Sequence, residues 1–280
     1  MLIRTGYDIR YETDVATPLM AMLSLHPSRN RDLRTPHRIV TSPQVPMYDY
    51  TDAFGNVCTR LTVPEGGLTL SCDFVIEDSF QKDPYSPDAI QHPVEDLPDD
   101  VLVYLLGSRY CETDRLSDTA WSLFGHVPPG WERVQAIVAF THNHITFGYQ
   151  HARPTKTAWD AYQEQQGVCR DYAHLAITLC RCMNIPARYC TGYLGDIDIP
   201  PIPGPMDFSA WFDVYLGDSW HTFDARHNKQ RAGRLLMARG RDATDTALTT
   251  TFGPARLAGF HVHTDEVQTV DLSEPPAARP

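Results

Sequence analysis

The sequence predicts an α+β protein in which an N-terminal antiparallel β-sandwich precedes a core of helices and strands. Short segments of alternating apolar and polar residues fill about the first eighty residues, and turn signals separate them. Helical spacing of apolar residues begins near Ser117, and further strand-like segments follow the last predicted helix. Separate runs of strands and helices, rather than a strict alternation, are typical of an α+β fold.

The N-terminal part is predicted to be a sandwich because its strands are short and no helical period interrupts them. Turn signals occur at Phe54-Gly55-Asn56 and at Pro64-Glu65-Gly66-Gly67. No cluster of residues in this part indicates chemistry. The predicted strands cover residues 7–12, 19–26, 38–40, 57–63 and 68–76.

A stretch rich in proline and aspartate, residues 82–100, indicates a linker or a wrapping loop. Helices are predicted beyond it, over residues 117–124 and 131–147 and from Thr157 to just before Gly167. The predicted division is therefore an N-terminal sandwich (1–80), a linker (81–100), a core (101–260) and a C-terminal strand and tail (261–280).

Composition excludes several classes of protein. Of the 280 residues, 42% are hydrophobic and 21% are charged, which is typical of a globular chain. The net charge of −11 argues against nucleic acid as a partner, because phosphate binding needs concentrated lysine and arginine. No apolar run reaches the roughly 20 residues that span a bilayer, and no signal peptide is evident. We therefore expect neither a membrane partner nor export.

Seven cysteines with irregular spacing do not resemble a disulfide framework. A reducing cytoplasm is the expected location, where a functional cysteine would act as a thiolate. Cys169 stands out because it precedes an amphipathic helix that Asn184-Ile185-Pro186 ends. The positive end of a helix favours a thiolate, so this placement suggests a nucleophile, although a structural cysteine is the alternative at this point.

The residues after Gly167 resemble the core of the transglutaminase-like superfamily. In that pattern a Gly-x-Cys sequence opens the nucleophile helix, an Ile-Pro-Ala-Arg turn leads to a Gly-Tyr strand, and His-Ala-Trp and Phe-Asp follow. The matching segments here are Gly167-Val168-Cys169, Ile185-Pro186-Ala187-Arg188, Gly192-Tyr193, Ala210-Trp211 and Phe223-Asp224. The β-rich N-terminal part is similar to that of bacterial members. The resemblance implies a papain-like core with Cys169 as its nucleophile.

The resemblance also implies acyl transfer. A cysteine attacks an amide carbonyl, a histidine relays the proton, and a carboxylate orients the histidine. By position Asp224 is that carboxylate, on the partner strand of a tight hairpin. Ser209 occupies the histidine position, and a serine hydroxyl cannot act as a base near neutral pH. The predicted catalytic set is therefore Cys169, Ser209 and Asp224.

Three hypotheses about the missing histidine remain open from the residues alone. The cleft could bind peptides without catalysis, as a pseudoenzyme or scaffold. Another histidine could substitute, with His221 and His227 nearest in sequence, although His221 should face away from Asp224. Alternatively, Cys169 could act with a reorganised set that includes Ser209 and Asp224.

The expected substrate is a peptide or protein amide, and either water or an amine could accept the acyl group. No cofactor and no metal are predicted, because no phosphate-binding motif occurs and the candidate ligand pairs lack partners. The rejected pairs are His142 with His144, Cys180 with Cys182, and His261 with His263. The sequence does not indicate an oligomeric state.

Overall fold

A computed structural model describes residues 1–200 and 206–268. The strands are β1 (Leu2–Glu12), β2 (Thr17–Ala21), β3 (Val40–Ser42), β4 (Tyr48–Thr51), β5 (Val57–Val63), β6 (Leu68–Glu77), β7 (Thr146–Phe147), β8 (Gln166–Gly167), β9 (Ala187–Leu194), β10 (Ser209–Leu216), β11 (Ser219–Phe223), β12 (Arg234–Gly240), β13 (Thr249–Thr251) and β14 (Arg256–Val267). The helices are α1 (Thr113–Phe124), α2 (Trp131–His144), α3 (Ala158–Glu164) and α4 (Cys169–Cys182). The predicted α+β class is confirmed, with antiparallel sheets and a helical core.

Two four-stranded antiparallel sheets make up the N-terminal part. Their strand orders are β14-β1-β6-β3 and β13-β2-β5-β4. Ile3, Tyr7 and Ile9 of β1 and Leu70 of β6 are buried in the apolar core that both sheets share. This alternation of buried and exposed residues follows the two-residue period from which the sandwich was predicted.

The structure differs from the predicted strands in several places. β1 begins at Leu2, β2 covers Thr17–Ala21 rather than residues 19–26, β3 covers Val40–Ser42 rather than residues 38–40, and β4 was not predicted. Beyond Ala21 the chain leaves the ladder because its backbone bonds to other elements. The amide of Met22 donates to the Leu248 carbonyl, and that of His26 donates to the Leu236 carbonyl.

The last strands of the chain complete the N-terminal sheets. β14 pairs antiparallel with β1 from Leu2↔Val267 to Glu12↔Arg256, and β13 pairs with β2. The C-terminal strand thus begins at Arg256, earlier than the expected residue 261. Residues 269–280 of the expected tail, and residues 201–205 before β10, lie outside the described residues.

α4 is the central element of the second part. Every residue from Asp171 to Cys182 is buried, because α1, α2 and α3 surround the helix and β9 and β10 lie against it. β9 to β12 form a four-stranded antiparallel sheet in the order β11-β10-β9-β12. Gly217 and Asp218 join β10 to β11 with φ of 53° and 62°, as the predicted tight turn requires. This packing holds the first residue of α4 at the edge of the sheet.

Candidate active site around Cys169

Cys169 is the first residue of α4, at the positive end of the helix. Two residues later the Asp171 carboxylate accepts the Val168 backbone N–H at 2.9 Å, which caps this end. A Cβ on Gly167 would meet the Asp171 carboxylate at 2.7 Å. The glycine of the Gly-x-Cys sequence is therefore required by this close approach, and Cys169 is held in place by the cap.

A buried lysine supports the segment that leads to Cys169. The Lys156 side chain is only 1% exposed; its ammonium pairs with Glu164 at 3.0 Å and donates to the Gln166 carbonyl at 2.9 Å. Gln166 belongs to β8, which pairs with β7 next to it. The ion pair thus connects α3 to the strand immediately before the nucleophile helix.

The Cys169 thiol is half-buried, whereas the other six cysteines, all within the described residues, are buried. Burial raises the pKa of the thiol to about 11, although the Arg226 guanidinium opposes this rise and is the strongest charge that acts on the thiol. The Asp207 carboxylate raises the pKa further, and a backbone N–H bond from Ala210 lowers it. The resting side chain of this half-buried residue is therefore a thiol that is not ionised at neutral pH.

Three residues that the sequence did not single out interact with the thiol, namely Tyr149, Asp207 and Arg226, and a fourth, Phe147, lies against Arg226. The Arg226 guanidinium lies 4.0 Å above the centre of the Phe147 ring and hydrogen-bonds to the Tyr149 phenol. It forms no salt bridge with a carboxylate of the described residues. Burial raises the pKa of Asp207, although a hydrogen bond from the Phe208 N–H and the positive charge of Arg226 oppose the rise. The surroundings of the thiol therefore contain a cation, a carboxylate and an aromatic wall formed by Phe147 and Tyr149.

Asp207 and Arg226 have no signal in the sequence other than their closeness to the predicted site residues. Asp207 lies two positions before Ser209, and Arg226 lies two positions after Asp224. Neither residue belongs to a motif, and both act on Cys169 only because the chain enters β10 and leaves β11 at the same edge of the sheet. Tyr149 lies in a one-turn 3-10 helix after β7 that sequence reasoning did not anticipate.

Ser209 is the first residue of β10, is buried, and pairs with Gly192 of β9. Its neighbour Ala210 packs against α4 and donates its backbone N–H to the Cys169 thiol. Because side chains alternate along a strand, Ser209 faces the side opposite to Ala210. The Ala210 N–H thus places the thiol beside the first residues of β10, where the family pattern has its histidine, whereas the Ser209 side chain lies on the face that Asp224 shares.

Asp224 directly follows β11, and the register Phe212↔Phe223 places it opposite Trp211. It thus shares a face of the sheet with Ser209. Its carboxylate accepts the His227 backbone N–H at 3.0 Å, lies 2.9 Å from His227 Nδ1, and accepts from Arg234 at 3.0 Å. Burial opposes ionisation, but Arg234 and His227 together hold the pKa of Asp224 well below its usual range. Asp224 is a charged carboxylate whose partners are these two residues.

Across the described residues, no histidine hydrogen-bonds to the Cys169 thiol. The His221 ring contacts Trp131 on the α2 side and lies 3.1 Å from the Leu216 carbonyl. His174, in α4, stacks on Tyr110 and accepts the Ala243 N–H. Of the two histidines considered as substitutes, only His227 contacts Asp224. The same residues contain no set of three or more His, Cys, Asp or Glu that could hold a metal ion.

None of the described helices is both long and apolar enough to cross a membrane.

β9 approaches β12 closely at Gly192, where a Cβ would meet the Leu235 carbonyl at 2.0 Å. The glycine of the predicted Gly-Tyr strand is thus also explained by packing. The Gly-x-Cys and Gly-Tyr elements of the resemblance therefore both have a physical basis in this chain.

Comparison with known proteins finds a family match over part of the chain. Residues 119–225 match the model of the transglutaminase-like superfamily. An uncharacterized protein of Mycobacterium leprae is 24% identical over 231 residues, which cover 75% of this chain and 77% of that protein.

Among solved structures, the crystal structure of "a Putative Cysteine Protease from Cytophaga hutchinsonii" superposes with a TM-score of 0.82 at 29% identity. The superposition covers 96% of this chain and 92% of that one. The periplasmic domain of TgpA from Pseudomonas aeruginosa matches with a TM-score of 0.38 at 16% identity, over 80% of this chain and 90% of that one. Because residues 119–225 match the family model, they constitute a transglutaminase-like core, as the sequence resemblance implied.

Proposed function

Because this chain contains a transglutaminase-like core, we propose that it is a cysteine acyl-transfer or amide-hydrolysing protein that acts through a thioester on Cys169. The observation that carries the proposal is the placement of that thiol. It is the only half-buried cysteine, it begins α4, and it accepts the Ala210 N–H beside the position of the missing histidine. Cys169 is the nucleophile in this proposal, with Ser209 and Asp224 in the other two positions of the family triad.

The proposed substrate is a peptide or protein carbonyl group, and water or an amine accepts the acyl group. The aromatic wall formed by Phe147 and Tyr149, whose rings lie 5.2 Å apart, offers an apolar surface beside the thiol. We also propose a reducing location such as the cytoplasm, where seven cysteines without a disulfide partner persist.

A second candidate, peptide binding without turnover, is favoured by a different observation. Burial raises the pKa of Cys169 to about 11, and Asp224 already binds His227 and Arg234. A thiol in this state is a poor nucleophile. A decayed triad would leave the cleft available for peptides that it does not cleave.

Covalent trapping separates the two functions. The native chain and Cys169→Ala are incubated with short acylated peptide amides and esters, and intact mass is recorded at early times. An acyl adduct that requires Cys169 supports acyl transfer. If no donor forms an adduct while unmodified peptides bind by calorimetry, the acyl-transfer proposal fails and peptide binding takes its place.

A further inference from the structure

The Cys169 thiol interacts with the charge of a guanidinium, whereas a papain-type centre pairs its thiol with an imidazolium. Arg226 is the strongest charge that acts on the thiol, and its guanidinium stacks on Phe147 at 4.0 Å without a salt bridge to any carboxylate of the described residues. A guanidinium stabilises negative charge on a thiolate or on a leaving group. It does not release a proton under ordinary conditions, because it stays charged at every relevant pH.

This difference matters for the leaving group. When an amide is cleaved, the amine must gain a proton as the C–N bond breaks, and the imidazolium supplies it in the papain-type mechanism. Ser209 cannot supply that proton. A thiolate or a phenolate leaves without one, and a thiol of lower pKa leaves faster. The residues of the cleft therefore suit acyl donors whose leaving group departs as an anion.

We propose that Cys169 is acylated by thioesters or aryl esters in preference to amides, with Arg226 as the cation that stabilises the thiolate and the departing anion. The inference rests on the acyl-transfer function proposed above and narrows its substrate class. The aromatic wall of Phe147 and Tyr149 provides a surface for an aromatic leaving group beside the guanidinium.

The steps balance without a further reagent. The Cys169 thiol loses its proton to solvent, Sγ bonds to the carbonyl carbon, and the C–S or C–O bond of the donor breaks with its electron pair on the leaving group. Water or an amine then attacks the Cys169 thioester. The Cys169 thiolate departs, and the proton of the attacking group passes to solvent.

Asp207 is the alternative proton carrier in the cleft. Burial raises the pKa of its carboxyl group, and its charge acts on both Cys169 and Tyr149. An acid at this position could protonate a leaving amine, which would make amides good donors. The experiment must therefore remove Asp207 as well as Arg226.

The test compares two donors with one acyl group, N-acetylglycine thiophenyl ester and N-acetylglycine anilide. The rate at which each acylates Cys169 is followed by intact mass and divided by the rate of the same donor with N-acetylcysteine, which removes the intrinsic difference in reactivity. Cys169→Ala is the blank. We expect the normalised rate with the thioester to exceed that with the anilide by roughly a hundredfold. This factor is the lower end of the rate enhancement that one general acid typically provides.

Arg226→Met should slow acylation by the thioester at least about tenfold and move its pH profile upward, since one pKa unit changes the thiolate fraction tenfold. Arg226→Lys should recover most of the rate, which a purely structural role would not predict. The profile must be read with the charged and titratable groups that act on or with the thiol: Asp207, Asp224, Tyr149, Tyr189 and Arg226.

Equal normalised rates for the two donors would overturn the inference and leave acyl transfer standing. Loss of only the anilide reaction in Asp207→Asn would overturn it too, and would identify Asp207 as the acid. If Cys169 forms no adduct with either donor, the proposed function itself fails. The two-donor comparison uses the unaltered chain, so the result does not depend on whether any variant folds.

Discussion

The Asp224 carboxylate binds His227 through both the backbone N–H, at 3.0 Å, and the ring Nδ1, at 2.9 Å. A carboxylate only accepts hydrogen bonds, so Nδ1 carries the proton. Arg234 donates a third bond to the same carboxylate at 3.0 Å. The carboxylate that the family pattern assigns to a histidine on β10 is therefore paired with a histidine three residues downstream.

Cys169 should be the only cysteine that iodoacetamide modifies in the folded protein, because the other six are buried. With a pKa of about 11, its alkylation at pH 8 should be on the order of a hundredfold slower than that of a free cysteine with a pKa near 8.5. Peptide mapping after timed labelling measures both site and rate, and urea-unfolded protein is the control. Fast labelling, or labelling of a second cysteine, would contradict the structure.

Ser209→His should restore part of a thiolate–imidazolium pair, because the thiol lies beside the start of β10. We expect the midpoint of Cys169 alkylation to move to lower pH, by about one pH unit or more. Adding His227→Asn should extend the shift, since the carboxylate would then be free to orient the new ring.

Ser209→Asn is the matched control for this shift, because the asparagine side chain is polar, like histidine, but does not titrate near neutral pH. An unchanged midpoint in both histidine variants would show that residue 209 does not reach the thiol. A full shift in the single variant would show that His227 does not compete for Asp224.

Asp224→Asn should lower the free energy of unfolding by about 3 kcal/mol at pH 7, because it removes one partner of a buried ion pair. The Asp224 and Arg234 side chains are 2% and 8% exposed. Urea denaturation measures the change. Glu12→Gln, which removes a surface carboxylate paired with the exposed Arg10 and Arg256, is the control and should cost less than about 1 kcal/mol. Equal costs for the two variants would argue against a buried network.

Ionisation of the Asp224 carboxylate should make the free energy of unfolding depend on pH. Since the pKa of Asp224 is depressed in the folded state by Arg234 and His227 against the effect of burial, its contribution is complete above the unfolded value near 3.9 and is lost as pH falls toward the folded pKa. The difference between the native chain and Asp224→Asn should therefore shrink by at most about 1.4 kcal/mol for each pH unit below about 3.9. A difference that stays constant down to pH 2.5 would contradict this.

Lys156→Met should destabilise the protein by about 2 kcal/mol and speed Cys169 alkylation, because the Gln166 carbonyl loses its buried donor. The increase in labelling should exceed that of Lys229→Met, a change at an exposed lysine. Denaturation and timed labelling give the two quantities. Unchanged labelling despite lower stability would mean that the lysine does not hold the segment before Cys169.

Much of the fold could be predicted because the patterns involved are local. The span of β5 and the first residue of α4 follow from the two-residue and 3.6-residue periods, and the β10–β11 turn follows from Gly217-Asp218. β4 could not be predicted in the same way, since its residues are mostly exposed and show little alternation. β14 pairs with β1 from the other end of the chain, a choice that depends on a partner more than 240 residues away.

The candidate site likewise combines features that are local in the sequence with features that depend on the tertiary fold. The order of residues alone predicted Cys169 at the positive end of a helix, and the family resemblance assigned the histidine position to Ser209 and the carboxylate to Asp224, because a helix terminus and a motif are properties of neighbouring residues. Folding decided that His227 and Arg234 occupy Asp224 and that Arg226 and Asp207 are the charges near the thiol. Those pairings arise where the ends of β10 and β11 meet α4, and electrostatic interactions depend on distance in space rather than on separation along the chain.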